Sequence, residues 1–258
     1  MKRYLLFLGF GTLLFSCHST EKGSTANEKE VPVQKDLENF ADSLVRLDKY
    51  SLPSINTATR YYKELVPADT TLADSAAVMI LKHSWTAVDS LNQKLYNDTT
   101  DYFELVYNQS ENVPQKQKLF QQQLASQHIK LQGDGEGGVY AVLDYDWIVP
   151  VLQEKTSVRT DTYLSLLARE EKEPALLDAG LAIEMEELVK RTVISENLLS
   201  LPLPKLFKDD VTAKNKFYTG VLINGSDNTP SLAYDSFDLT EEFKKGYDFL
   251  LLLTHMQE

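Results

Sequence analysis

Cysteine is almost absent from this chain of 258 residues, and Cys17 is the only one. That excludes a disulfide framework within the chain and any zinc site built on two or more thiolates. Basic residues are also short: 26 Lys and Arg stand against 38 Asp and Glu, a formal net charge of -12. A general nucleic-acid binder needs a basic surface to neutralise phosphates, so that class is excluded as a partner. Glycine (11) and proline (9) are too sparse for a collagen-like or low-complexity chain. With 43% hydrophobic and 25% charged residues the chain carries the material for a real core. Catalytic signatures are missing as well: there is no G-x-S-x-G, P-loop, H-E-x-x-H or EF-hand loop. His83, His128 and His255 lack the pairwise spacing of metal ligands. No metal and no cofactor is expected.

What is present is most distinctive at the start. Lys2 and Arg3 precede an apolar stretch, Tyr4 to Phe15, that is shorter than the roughly 20 residues a spanning helix needs. A charged start and a short apolar run are the parts of a secretory signal. The run ends in Leu14-Phe15-Ser16-Cys17. This resembles the lipobox of bacterial lipoproteins, in which the cysteine is acylated and becomes the first residue after cleavage. Phe15 departs from the small residue usual at that position. The resemblance implies a signal peptide over 1–16, lipidation with palmitate-type chains at Cys17, and attachment of the chain to the membrane by that anchor. Two or more acyl chains give stable anchoring where one is marginal. His18 rather than aspartate follows the cysteine, which by the lipoprotein sorting rule favours the outer membrane. Residues 17–35 have a polar composition with cancelling charges and read as a flexible tether, on the order of 25 Å in reach.

Residues 36–258 are expected to form a single mainly α (α+β) domain, with a subdivision near 126 as the alternative. Apolar residues recur at helical spacing over 36–50, after Pro53, over 71–97, over about 114–126, near 157–171 and over 181–199. Between them the pattern alternates with period two at 128–132 and is rich in β-branched and aromatic residues at 139–143. This predicts a small antiparallel β-hairpin near 128–143 whose connection is the glycine-rich Gly133–Gly138. Asp146 is placed to cap a helix starting at Trp147, with Pro150 in its first turn. Phe217–Ile223 fits strand and helix equally. Asp238-Leu239-Thr240-Glu241 reads as a capping box for a last helix.

Three groups of residues carry candidate chemistry. Glu136, Asp144 and Asp146 cluster after the hairpin turn, and paired carboxylates can perform acid–base work on a glycosidic bond. The same aspartates have simpler uses at turns and helix ends. Secondly, the turn-forming segments 133–138, 178–181 and 225–230 are expected to converge on one face. There Glu136, Asp178, Asp227 and Asn228 would offer carboxylate and amide groups in a shared pocket to a polar ligand or a cation, with no metal assigned. Taken together, Gly135-Glu136-Gly137, Asp178-Ala179-Gly180-Leu181 and Gly225 to Pro230 also resemble the loop motifs of an uncharacterised group of secreted or lipid-anchored bacterial proteins, from which no activity carries over. Thirdly, Asp-Ser/Thr pairs at Asp42, Asp69, Asp74, Asp89 and Asp98 resemble acceptor sites for envelope O-glycosylation, a three-residue pattern that helix capping also produces.

These observations point to a lipid-anchored cell-envelope protein, non-enzymatic, that binds an envelope protein or glycan through loops of its C-terminal half. A glycan or peptidoglycan hydrolase using the paired carboxylates is the second reading, and a structural component of an envelope assembly the third.

Overall fold

Asp69 starts the longest helix by accepting hydrogen bonds from the Thr71 and Leu72 amides at 3.0 Å each, which satisfies two of the free N–H groups at the helix start. From there no glycine or proline interrupts the chain for 27 residues, and the helix runs Thr70–Tyr96. This computed structural model describes residues 33–98, 100–108 and 113–255. The lipobox, Cys17 and most of the tether lie outside the described residues. The helices are α1 (Val33–Val45), α2 (Pro53–Leu65), α3 (Thr70–Tyr96), α4 (Gln115–Ala125), α5 (Tyr145–Gln153), α6 (Val158–Lys172), α7 (Met185–Leu199), α8 (Lys205–Asn224) and α9 (Glu241–His255). A π-helical turn, Glu104–Asn108, precedes α4. The body is mainly α with small antiparallel β elements, as the sequence pattern predicts.

The strands form three two-stranded antiparallel ribbons: β1 (Ile129–Gly133) with β2 (Val139–Leu143), β3 (Leu176–Leu177) with β4 (Gly180–Leu181), and β5 (Gly225–Ser226) with β6 (Thr229–Pro230). The first ribbon pairs Ile129 with Leu143 and Gly133 with Val139, the expected hairpin. Its outer edge does not stay bare. Asn92 of α3 donates to the Ala141 carbonyl at 3.0 Å and accepts from the Ala141 amide at 2.7 Å. One side chain thus supplies both bonds of a missing neighbour strand.

Two apolar cores result. The larger gathers Phe40, Ile55, Tyr62, Ile80, Leu81, Leu124, Ile129 and Phe207. It runs across residue 126 without a break, since Leu124 and Ile129 both belong to it. Alanines at 73, 76, 77 and 87 on α3 are all fully buried, so helices α1 and α2 approach that face closely. The smaller core packs Leu188 and Val189 of α7 against Tyr218 and Leu222 of α8 and Phe243 of α9.

Several local expectations are corrected. Asp146 does not cap a helix: α5 begins two residues before the expected Trp147, at Tyr145, with Asp144 in the cap position and no side-chain cap bond. Pro150 therefore falls in the second turn, on an exposed face, where the lost N–H bond reaches solvent rather than core. Phe217–Ile223 is helical within α8, because Tyr218, Val221 and Leu222 bury one helical stripe in the smaller core. Residues 181–184 lie before α7, not in it. The capping box is displaced too. Glu241 is the first residue of α9, and the Thr240 carbonyl takes the first bond, from the Lys244 amide at 3.0 Å.

Candidate functional site

The three turn segments do meet. In the first, Gly135 and Gly137 take φ of 92° and 97°, a region closed to most side chains. Their amides do not form an open anion cradle. The Tyr107 hydroxyl accepts from Gly135 N at 3.1 Å and Gly137 N at 3.2 Å and donates to the Gly138 carbonyl at 3.1 Å. The Asp134 carboxylate accepts from the Glu136 and Gly138 amides, both at 2.8 Å. Those backbone hydrogen bonds, that from Glu136 foremost, hold the Asp134 carboxyl below its usual pKa. Phe103 stacks on Tyr107 with ring centroids 4.6 Å apart and braces the plug.

Gly135 has a second duty. A Cβ there would come within 2.9 Å of the Asp178 backbone nitrogen, so the first turn can touch the second only because the side chain is missing. The second turn links β3 to β4 through Asp178 and Ala179, both with positive φ, 47° and 54°. That is the hairpin geometry that matches strand twist, paid here by a non-glycine pair. The third turn, Asp227-Asn228, locks onto the second. Asn228 donates through its side-chain amide to the Asp178 carbonyl and through its backbone N–H to the Ala179 carbonyl at 3.0 Å. The Thr229 hydroxyl accepts from the Leu181 amide at 2.9 Å.

Convergence is therefore real, but its chemistry differs from expectation. Asn228 is spent on stitching two turns together. Glu136, Asp178 and Asp227 are exposed, and none of their carboxylates has a hydrogen bond or ion pair among the described residues. None of the four lines the cavity next to these turns. The adjoining cavity, about 810 Å³, takes only Leu181 from these turns. It is lined by apolar residues such as Ile183 and Phe249 and by five glutamates with Lys190.

The paired-carboxylate site is divided. Glu136 sits at the hairpin tip, whereas Asp144 and Asp146 follow β2 at its far end, about 16 Å of strand away. At that end Lys130 of β1 holds the cluster. Its ammonium lies 2.7 Å from Asp144, 3.5 Å from Asp146 and 3.6 Å from Glu171. Burial works to lower the Lys130 pKa, but the hydrogen bond to Asp144 and the three negative charges outweigh it, and the pKa is raised. Burial, added to by Asp144 and Asp146 and opposed by Lys130, raises that of Glu171. A charged ammonium thus occupies the space between the carboxylates that a glycosidic oxygen and its water would need.

Tyr107, Lys130 and Glu171 were not singled out by sequence reasoning. Lys130 carried one signal: it lies on the polar side of an alternating strand. Nothing local marks Tyr107, which acts on a turn 27 residues on. Among the described residues no group of three or more His, Asp and Glu is arranged to hold a metal ion. Three of the Asp-Ser/Thr aspartates have structural duties. Asp69 caps α3, Asp74 accepts from the Ser157 amide and hydroxyl at 2.9 and 2.7 Å, and Asp98 closes a turn onto Thr100. Compared with known proteins, the chain matches no family model, no curated protein and no solved structure.

Proposed function

We propose that the chain is a lipid-anchored cell-envelope protein, held in the outer membrane through acylated Cys17, which works by binding rather than by catalysis. Its recognition face is the platform of three joined turns, and its partner is an envelope protein or glycan. One observation carries the binding half of this reading: Asn228 ties the second and third turns together while leaving the Glu136, Asp178 and Asp227 carboxylates turned to solvent. Turn reversal alone requires no such cross-link. The Lys130 ion cluster supports binding over hydrolysis, because the ammonium is already engaged with Asp144, Asp146 and Glu171 beside the hairpin. The sequence Leu14-Phe15-Ser16-Cys17 supports the anchor.

Two measurements test the two halves separately. Cys17→Ser is expected to give unprocessed or soluble protein that takes up no labelled palmitate. Unchanged mobility with continued partition into detergent would overturn the anchor. For the platform, native protein extracted from membranes is compared with Asp178→Lys/Asp227→Lys, both exposed positions. Co-purifying material present with the native chain is expected to be lost from the variant. Identical material from both would refute this face.

A further inference from the structure

A second concave surface lies far from these turns in sequence. A groove of about 620 Å³ runs between α1, the α1–α2 connection and α3. Its apolar walls include Leu44, Val45, Leu47, Tyr50 and Met79. Two of these are unusually open for their type: Val45 is 84% exposed and Tyr50 55%. Exposed apolar groups lining one groove signal a ligand or partner more than isolated ones do.

The polar groups around the groove are specific. Lys49 and Lys82 both line it, and neither forms an ion pair among the described residues. The Lys49 ammonium stands 5.1 Å from the centre of the Tyr50 ring. The one acid, Asp48, accepts from the Tyr50 amide at 3.0 Å. In a chain with a large acidic excess this is a locally cationic rim.

His83 completes the site. It is 8% exposed, lines the groove, and is bonded through Nε2 to the Ser54 hydroxyl at 2.7 Å. Ser54 already donates its single proton to the Ser51 carbonyl at 2.6 Å. Nε2 must therefore be the donor in the His–Ser contact. Burial keeps the ring pKa below its usual value despite Asp48, so the ring is neutral and Nδ1 is a bare acceptor. No described residue donates to it. A ligand that fits carries an apolar chain, a negative head for the two lysines, and an O–H for Nδ1. An ionised carboxylate lacks that proton, whereas the monoanion of a phosphate monoester has it.

We propose that this groove binds a single-chain anionic amphiphile of the alkyl phosphate type, with the chain along Leu44, Val45 and Met79 and the head among Lys49, Lys82 and His83. The lining of the groove shares no residue with the turn platform. A volume of this size suits a ligand of lipid or drug dimensions.

The test is calorimetric titration of the full chain carrying Cys17→Ser, prepared without detergent, with octyl, decyl and dodecyl phosphate below their micelle concentrations. Affinity is expected to rise about fourfold per added methylene, the transfer value for burying a CH₂. Dodecyl sulfate, which has the charge but no proton, is expected to bind about tenfold more weakly than dodecyl phosphate, the cost of one hydrogen bond to a charged partner. Lys82→Glu should weaken dodecyl phosphate about tenfold and dodecanol less than twofold. Val45→Asp, at an exposed position where circular dichroism should show an unchanged fold, should abolish the chain-length dependence. The proposal is overturned if affinity ignores chain length, if Lys82→Glu weakens alcohol and phosphate equally, or if Val45→Asp leaves binding intact. It is also overturned if the wild type fails to bind dodecyl phosphate but sediments as a dimer that Val45→Asp dissociates, since the groove would then be an interface between copies.

Discussion

Arg191 is the largest fully buried side chain described, at 0% exposure, and its replacement by methionine tests how the two cores are joined. It stands on α7 and reaches toward the end of α6. Its Nε lies 2.9 Å from Glu187, and its Nη1 donates to the Glu173 carbonyl at 2.7 Å and faces Glu170 at 3.5 Å. Breaking a buried ion pair by removing one partner costs about 3–5 kcal/mol, because the other charge is left uncompensated. Here two of the three acids keep a second cation, Glu187 having Arg169 at 3.3 Å and Glu170 having Lys214 at 3.0 Å, and the third, Glu173 at 3.8 Å from Nη2, is exposed to solvent. The low end of the range therefore applies, about 3 kcal/mol for Arg191→Met. For a domain of this size that is a fall in Tm of about 6–12 °C. Urea and thermal unfolding followed by circular dichroism give both quantities. The reasoning makes a sharper demand as well. Adding Arg169→Met strips Glu187 of its last cation, so the double variant should lose at least about 1 kcal/mol more than the sum of the singles. Adding Glu187→Leu instead should recover part of the loss, since a packed apolar pair escapes the desolvation cost. A loss under about 1 kcal/mol for Arg191→Met, or strict additivity with Arg169→Met, would refute the account.

Burial raises the Asp210 pKa, Lys214 and the Tyr163 hydroxyl only partly opposing it. Its folded value lies above the unfolded one of about 3.9. Its contribution to stability is therefore full below about pH 3.9 and is lost as pH rises through the folded pKa. Asp210→Asn keeps an acceptor for Tyr163 and should gain stability relative to wild type on going from pH 4 to pH 7, read by urea unfolding at both. An equal difference at the two pH values would count against it. Tyr107→Phe removes the hydroxyl that plugs the first turn and should cost about 0.5–1.5 kcal/mol while speeding amide exchange at Gly135 and Gly137. Unchanged exchange there would show that the plug does not hold the turn. Ala179→Gly relieves a positive φ of 54° and should raise stability by about 0.5 kcal/mol, the left-handed penalty less the entropy glycine adds to the unfolded chain. Destabilisation would mean that the Ala179 methyl packs.

The helices were legible wherever one stripe of apolar residues faces one core. Leu72, Ala76, Ile80, Val88 and Leu91 mark α3 so well that its ends fall within a residue of expectation. Phe217–Ile223 was ambiguous for a physical reason: β-branched and aromatic residues suit strands by propensity, and only the smaller core, built by residues far along the chain, selects the helix. Helix ends were less legible than middles. Asp144 and Asp146 both look like caps, yet Asp144 in the cap position makes no side-chain cap bond and both carboxylates face Lys130 on the neighbouring strand. The same limit applied to the site. The three turns could be recognised by composition, and even their meeting could be anticipated. What could not be read was that Asn228 serves the backbone of another turn or that Tyr107 fills the glycine loop. Each depends on a hydrogen bond across 28 to 50 residues.

On the proposed reading, the cost of ordering the recognition face is met during folding. The turns are held by Tyr107, Asn228 and Thr229 before any partner arrives, so little loop entropy is left to lose on binding. The exposed carboxylates of Glu136, Asp178 and Asp227 then act mainly on rate and selectivity, since rim charges steer encounter and reject like-charged surfaces more than they add affinity. That sign matters for the class of partner. An acidic platform repels anionic lipid and nucleic acid, which leaves a basic protein surface or a glycan bearing ammonium groups as its complement. It also separates this face from the groove beside His83, whose lysines favour the opposite charge. Two surfaces of opposite preference on one helical body mean that raising the salt concentration should weaken both, but that replacing Asp178 and Asp227 by lysine should affect only the first. Between exposed charges screening sets in at about 10 Å in 0.1 M salt, so the two surfaces act as independent sites only if their charged groups lie further apart than that.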